Sequence, residues 1–210
     1  MDVSSKAELA ILIFAKAPVP GEVKTRLAAA IGAERAAALY ARLARRTLEI
    51  ALAVNIGSVV LCCAPDCSHP FFQNLANELG ITLEPQRGAD LGERMYAAME
   101  LAMHRAQASL VIGTDCPFID AGYLRTGAAV LGEGDVPVVI GPANDGGYVL
   151  IGASRLSSRL FENLPWGADR VLSLTRQRLQ ALGWGWRELP SLTDIDRPQD
   201  LALLSAEFLE

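Results

Sequence analysis

The chain has 210 residues, 51% hydrophobic and 20% charged, which excludes intrinsic disorder and allows a sizeable core without disulfide or metal staples. A net charge of -5 with 6% aromatic residues supplies neither the basic surface nor the stacking platforms of a nucleic-acid binder, so no nucleic-acid partner is expected. The longest apolar runs, such as Leu9–Ala15, fall far short of the ~20 residues that span a bilayer, and the start lacks a signal-peptide pattern, so no membrane span and a cytoplasmic location are expected.

In chain order, Leu9–Ala15 is a continuous apolar run and reads as a buried strand. A helix can start within Val23–Ile31, and Glu34–Val54 places Leu39, Leu43, Ile50 and Val54 on one helical face. Ser58–Cys63 reads as a second strand, His69–Leu79 as a helix with Gly80 at its C-cap, and Ile81–Glu84 as a short strand. Leu91–Gln107 reads as a helix, Leu110–Gly113 as a strand and Tyr123–Leu131 as a helix. Val136–Gly141 and Tyr148–Ile151 are joined by too short a turn for a crossover helix and therefore pair as a hairpin. Asp169–Leu182 (helix), Trp186–Leu189 (strand) and Pro198–Phe208 (helix) close the chain. The alternation predicts a three-layer α/β fold: a mostly parallel sheet with a late antiparallel strand, covered on both faces. No repeat or linker is present, so residues 1–210 are expected to form one domain.

In such sheets ligands sit beyond the carboxyl ends of the strands, and four loops there have compositions that plain connectors do not need. Lys16–Leu27 (KAPVPGEVKTRL) combines stiffening prolines, Gly21 as a permissive turn, and the cations Lys16, Lys24 and Arg26. Two of the chain's three lysines fall in this loop, which points to phosphate contact, whereas a solvated basic turn is the plainer alternative. Gln86–Arg94 (QRGADLGER) offers an amide that could read a base edge, with Gly88 beside it and Arg94 for phosphate or ribose oxygens; a capped βα loop explains it equally well. Gly113–Pro117 (GTDCP) puts Asp115 at a strand end, suited to magnesium or manganese, which take one or two carboxylates plus substrate phosphates. Gly141–Gly147 (GPANDGG) satisfies a tight hairpin on local grounds, yet it sets Asp145 on the same rim as Asp115. Asp194 and Asp196 flank Ile195, so an extended backbone puts both on one side; capping accounts for one aspartate of the Asp194–Asp200 cluster more easily than for two.

Other chemistries lack their residues. The sequence has no Walker A loop, G-x-G-x-x-G, G-x-S-x-G or H-E-x-x-H. Cys62, Cys63, Cys67 and Cys116 form no C-x-x-C pair, and with His69 and His104 they make no zinc set, so reduced, packed thiols are expected.

Together FAKAPVPGEVKTRL, QRGADLGERM, GTDCPFI, GPANDGGYVLIG and DIDRPQDL resemble the signature blocks of the DUF2064 family. That family is described as glycosyltransferases related to molybdenum-cofactor and 2-phospho-lactate guanylyltransferases. The resemblance runs from Phe14 to Leu201, with two departures: no hydroxyl residue follows Trp166, and Arg197 stands where threonine is commoner. It implies a GT-A-like nucleotide-diphospho-sugar transferase fold and a site dependent on Mg2+ or Mn2+ that handles a nucleotide-sugar or nucleoside triphosphate and a small-molecule acceptor. In that transfer Lys16, Lys24 and Arg26 hold phosphates, with Lys24 stabilising the leaving group, and Gln86 and Gly88 line the nucleoside with Arg94 nearby. Asp115 and Asp196 bind the metal, and Asp145 faces the acceptor as base or positioning group. Sugar transfer is the leading expectation. Nucleotidylyl transfer is its rival, and a non-catalytic nucleotide-binding regulatory module is the alternative from another class. The stiff A-P-V-P-G run, in place of a glycine-rich triphosphate loop, favours a diphosphate donor.

Overall fold

In the computed structural model, which describes residues 7–205 and 208, strands and helices alternate as the sequence pattern requires. The strands are β1 (Ala7–Lys16), β2 (Ser58–Ala64), β3 (Thr82–Pro85), β4 (Ala106–Gly113), β5 (Val138–Pro142), β6 (Tyr148–Ala153) and β7 (Trp186–Glu188). The helices are α1 (Thr25–Ile31), α2 (Ala33–Val54), α3 (Pro70–Leu79), α4 (Leu91–Met103), α5 (Ala121–Glu133) and α6 (Val171–Ala181). The strands form one sheet in the order β3-β2-β1-β4-β6-β5-β7. Pairing is parallel except at β6, which runs antiparallel to both β4 and β5. The late hairpin thus forms, and its second strand inserts between β4 and β5.

The central strand β1 shows why the sheet is covered on both faces. Leu9, Ile11 and Ile13 pack with α2, α3 and α5 through Leu48, Phe72, Leu75 and Leu124. Ala10, Leu12 and Phe14 face the other way, against Met95 and Met99 of α4 and, further along, Leu172 and Leu179 of α6. A strand buried on both sides carries no polar alternation, which is the apolar run seen in the sequence. Helix ends follow local chemistry: His69, Asp90 and Asp120 cap α3, α4 and α5 through their side chains, and Gly80 closes α3 in the left-handed conformation.

Most boundaries fall within two residues of the sequence expectation, and two regions differ by more. The helix expected over Leu91–Gln107 stops at Met103, and β4 starts at Ala106, because Ala106 and Ala108 pair with Ala7 and Leu9 of β1. Alanine accepts either conformation, so the strand neighbour decides. The closing helix expected over Pro198–Phe208 is a 3-10 segment over Pro198–Leu203. Its start is fixed by Asp200, whose Oδ2 accepts from the backbone N–H groups of Asp196 (3.0 Å) and Arg197 (2.7 Å). Residues 206–207 lie outside the described residues.

A smaller apolar cluster matters more for the site than its size indicates. Ile195, fully buried, packs with Leu27 of α1, Leu39 and Leu43 of α2, and Phe208. Its N–H donates to the Asp115 carbonyl at 2.9 Å. Ile195→Ala should therefore cost about 2–5 kcal/mol of unfolding free energy in a urea titration, the range for truncating a buried Ile or Leu. A change under about 1 kcal/mol would show that this anchor is not holding the segment.

Candidate active site

The cleft lies at the carboxyl ends of β1 and β4. The loop after β1 is stiff: Ala17 N–H donates to Ala64 O and Val19 N–H to Ala17 O, both at 2.8 Å, and Glu22 N–H to Val19 O at 3.0 Å. Gly21 takes φ +85 in this turn and does not line the cleft. Lys24 caps α1 with φ +48, a left-handed conformation uncommon for a residue with a β-carbon. Its side chain is 3% exposed, with Nζ 2.5 Å from Asp115 Oδ1 and 2.8 Å from Asp196 Oδ1. Burial alone would lower the ammonium's pKa; the Asp115 and Asp196 carboxylates outweigh it and the net shift is upward. α1 is seven residues long, and the cations lining the cleft beside it are Lys16, Lys24 and Arg26.

Lys16, Lys24, Arg26, Gln86, Asp115 and Asp196 all line one lobe of the cleft, about 510 Å³ in volume. Arg94 borders an adjoining depression together with Lys16 and Gln86. The Gln86 side chain donates Nε2 to the carbonyls of Cys62 (2.8 Å) and Ala15 (3.2 Å), so only its oxygen is free for a ligand. Gly88 is exposed with φ +144; a β-carbon there would meet Glu93 Cβ at 2.6 Å, and its carbonyl accepts from Arg94 Nε at 3.0 Å. The floor includes Tyr40, which sequence reasoning passed over. Its hydroxyl accepts from Lys16 N–H (2.8 Å) and Thr114 Oγ1 (3.0 Å), and burial followed by the Asp115 charge pushes its pKa up to about 12.

A second lobe of about 250 Å³ shares Phe14, Leu91, Gly113, Asp115 and Gly167 with the first and reaches Asp145 and Asp194. Asp145 Oδ1 accepts from Gly147 N–H at 2.9 Å, so one carboxylate oxygen serves the turn. The turn packs closely on the approach to α6: Gly146, at φ +92, leaves no room for a β-carbon against the Asp169 carbonyl, and Leu172 N–H donates to Gly146 O at 2.9 Å. The segment before Asp194 is bound to the same turn through Asn144 N–H to Leu192 O (2.9 Å) and Asn144 Nδ2 to Thr193 Oγ1 (2.7 Å). Asp194 was not singled out as a ligand by sequence, although its alternation with Asp196 was the available signal. Burial, then the charges of Asp115, Asp196 and Asp145, push its carboxyl up to about 8. Cys116 is a packed thiol that burial pushes up to about 12, and the four cysteines are free.

The donor set fits a divalent cation of the Mg2+ or Mn2+ kind. Asp115 and Asp196 converge on a single positive charge, with 44% and 36% of their side chains still exposed to the cleft. Among the described residues no three potential ligands are grouped closely enough to hold a metal, so a cation at Asp115 and Asp196 would need further ligands from substrate phosphate and water. The Lys24 ammonium now occupies the space between the two carboxylates. Among the described residues no helix is long and apolar enough to cross a membrane.

Comparison with known proteins gives the family and the fold. The family described as "Uncharacterized protein conserved in bacteria (DUF2064)" matches residues 47–168. This chain belongs to the DUF2064 family. A crystal structure of a "putative nucleotide-diphospho-sugar transferase" from Desulfovibrio desulfuricans G20 is 31% identical, with 96% of this chain and 87% of that one covered and a TM-score of 0.86. The CMP:2-keto-3-deoxy-manno-octonic acid synthetase complexed with CTP is 14% identical over 93% of this chain and 96% of that one, with a TM-score of 0.59. A manganese complex of a Mycobacterium tuberculosis H37Rv protein is 15% identical over 94% and 97%, with a TM-score of 0.54. The last two establish the fold alone. A search of curated proteins finds no match. The DUF2064 chain described here thus has the nucleotide-diphospho-sugar transferase fold.

The Asp194 environment gives a signed pH test. Its folded pKa, about 8, lies above the ordinary aspartate value of 3.8, so the stability this group gives the fold is fully present below about 4 and is lost as pH rises towards 8. In chelator, Asp194→Asn should gain stability relative to the natural chain steadily between pH 4 and 8, read from thermal midpoints. Parallel pH profiles for the two proteins would remove Asp194 from the charge cluster.

Proposed function

We propose that the protein is a transferase that moves a sugar from a nucleoside-diphosphate donor to a small acceptor, with Mg2+ or Mn2+ at Asp115 and Asp196. The observation that carries this reading is one cleft at the strand ends whose larger lobe gathers Lys16, Lys24 and Arg26 together with Asp115 and Asp196, and whose smaller lobe is bordered by Asp115, Asp145 and Asp194 with no lysine or arginine. Family membership and the description of the D. desulfuricans relative support a nucleotide-sugar donor. The manganese complex of the M. tuberculosis protein supports a divalent cation. The whole chain acts as one domain in this reading, in the cytoplasm.

Lys16, Lys24 and Arg26 hold the diphosphate and stabilise the charge that develops on it as it leaves. Gln86, its amide nitrogen tied to backbone, presents its oxygen to a base N–H, with Gly88 alongside and Arg94 near the ribose or phosphate. The bound cation would neutralise phosphate charge. The acceptor oxygen forms a bond to the anomeric carbon while the bond from that carbon to the diphosphate oxygen breaks, its electron pair leaving with the nucleoside diphosphate. The acceptor's proton passes to Asp145, whose turn fixes the direction of its carboxylate. Nucleotidylyl transfer from a triphosphate, with pyrophosphate leaving, would use the same lobe; the stiff loop hydrogen-bonded through Ala17 and Val19 favours the shorter diphosphate.

A thermal-shift panel of UDP-, GDP-, CDP- and ADP-sugars against free nucleoside triphosphates, with and without manganese, tests the donor. A donor at 100 times its Kd stabilises by about 2.7 kcal/mol and stands out from the others. Asp115→Asn should remove the manganese dependence of that shift with the fold intact. A larger response to a triphosphate than to any nucleotide-sugar would establish the rival reading.

Asp145 is tested separately, since its turn suits asparagine as well as aspartate. Asp145→Asn should leave donor affinity unchanged and lower turnover by about 10²-fold or more, the usual size of a general-base contribution. Turnover close to that of the natural chain would reduce Asp145 to a turn residue.

A further inference from the structure

Resting on the cation that the transferase reading puts at Asp115 and Asp196, we infer that Lys24 is an exchangeable occupant of that carboxylate pair. A divalent ion displaces its ammonium, which then swings on its flexible stem to the donor's diphosphate. In its place between the carboxylates the ammonium is poorly disposed to hold phosphate: the side chain is 3% exposed, and Nζ is shared by Asp115 Oδ1 and Asp196 Oδ1. The other two cations of the larger lobe differ. Lys16 and Arg26 are exposed, and among the described residues neither side chain pairs with a carboxylate. Of the three, Lys24 alone must leave an acidic partner before it can serve a phosphate.

Charge balance sets the direction of the exchange. An ammonium has donors and no acceptor, so it competes with a metal ion for carboxylate oxygens and never ligates one. Two carboxylates with one ammonium keep a net negative charge; with one divalent ion they are neutral. Both cations on the same pair leave an excess positive charge beside a side chain held away from water, where like charges repel strongly. A bound diphosphate takes up that excess, so ion and ammonium share the cleft when phosphate lies between them. By linkage, whatever draws the ammonium off the carboxylates strengthens binding of the ion, and the reverse. The carboxylates are 44% and 36% exposed, which gives an incoming ion access from the cleft. The movement is confined to one side chain. Ala28 N–H holds the Lys24 carbonyl at 2.9 Å in the first turn of α1, and Lys24 already lines the same lobe as Lys16 and Arg26.

Manganese binding to the full chain, with no nucleotide added, is followed through the electron paramagnetic resonance signal of the free ion. Lys24→Met should bind Mn2+ at least roughly tenfold more tightly than the natural chain, and adding Asp115→Asn should cancel the gain. A second readout needs no variant: acetylation by acetic anhydride, located by peptide mass spectrometry. Lys24 should be protected without divalent ion and acetylated at saturating Mn2+, while the exposed Lys16 reacts under both conditions. Unchanged or weaker Mn2+ binding by Lys24→Met would overturn the inference. So would a Lys24 that stays protected at saturating Mn2+, which would make it a fixed brace of the two carboxylates. The nucleotide-sugar thermal shifts keep the transferase reading separate: Lys24→Met should reduce the largest of them while tightening Mn2+. No shift with any nucleotide-sugar on the natural chain, together with tighter Mn2+ binding by Lys24→Met, would instead defeat the transferase reading and leave the displacement of the ammonium standing.

Discussion

One buried ammonium holds the cleft together. Lys24 Nζ joins the loop after β1 to the end of β4 through Asp115 and to the segment before the last 3-10 turn through Asp196. Placing it there is unfavourable locally. The backbone is left-handed at a residue with a β-carbon, about 1–2 kcal/mol of strain, and a long, rotamer-rich side chain is immobilised. Burying the lysine of this trio, 3% exposed against 44% and 36% for its two carboxylates, is a poor way to gain stability, since desolvation offsets much of the attraction. What the arrangement gives is position: two carboxylates from segments about 80 residues apart share one cation and face one cavity. Strain concentrated at such a residue is characteristic of functional sites.

The place of Asp145 on the smaller lobe follows from the topology. Because β6 is antiparallel to both neighbours, β5 runs in the same direction as β4, and the turn that leaves β5 emerges on the rim where β1 and β4 end. The inserted strand spaces that turn away from β4, leaving room for the smaller lobe between Asp115 and Asp145. Gly146, pressed against the Asp169 carbonyl, fastens the turn to the approach of α6. An all-parallel sheet would need a crossover helix at this point. The antiparallel insertion instead delivers acidic residues to the rim by a short turn, opposite the cations of the β1 loop.

Much of this was legible in the sequence, for identifiable reasons. The apolar run of β1 and the short 142–147 turn gave the two-sided core and the hairpin, because strand burial and turn length leave direct compositional traces. The Lys16–Leu27 loop drew attention through its rare lysines, and Lys24 is the one that the structure buries. Less legible were features that depend on distant neighbours. The start of β4 at Ala106 is decided by β1 and not by its own residues. Gln86 was read as facing a base, yet its amide nitrogen is tied to carbonyls of β1 and β2, a contact no local pattern encodes. Tyr40 looked like one more core position of α2, and only the fold shows its hydroxyl under the site.

The aspartates on either side of Ile195 show where local pattern stops being informative. Their alternation correctly implied two carboxyl groups on the side away from a buried residue, and Ile195 is fully buried. It gave no means of telling the two apart. Asp196 faces the Lys24 ammonium at 2.8 Å, whereas Asp194 sits among Asp115, Asp145 and Asp196 with its carboxyl pushed up to about 8. Burial is the larger cause of the Asp194 shift, and the charges that the surrounding loops bring add to it: Asp115, Asp196 and the Asp145 turn of β5 raise it against the Lys24 cation of the β1 loop. A single apolar anchor therefore sets one carboxylate at the cationic lobe and a second carboxyl group at the acidic lobe, two residues apart in the chain. The same pin fixes both because its N–H is held by the carbonyl of Asp115, the residue common to the two lobes.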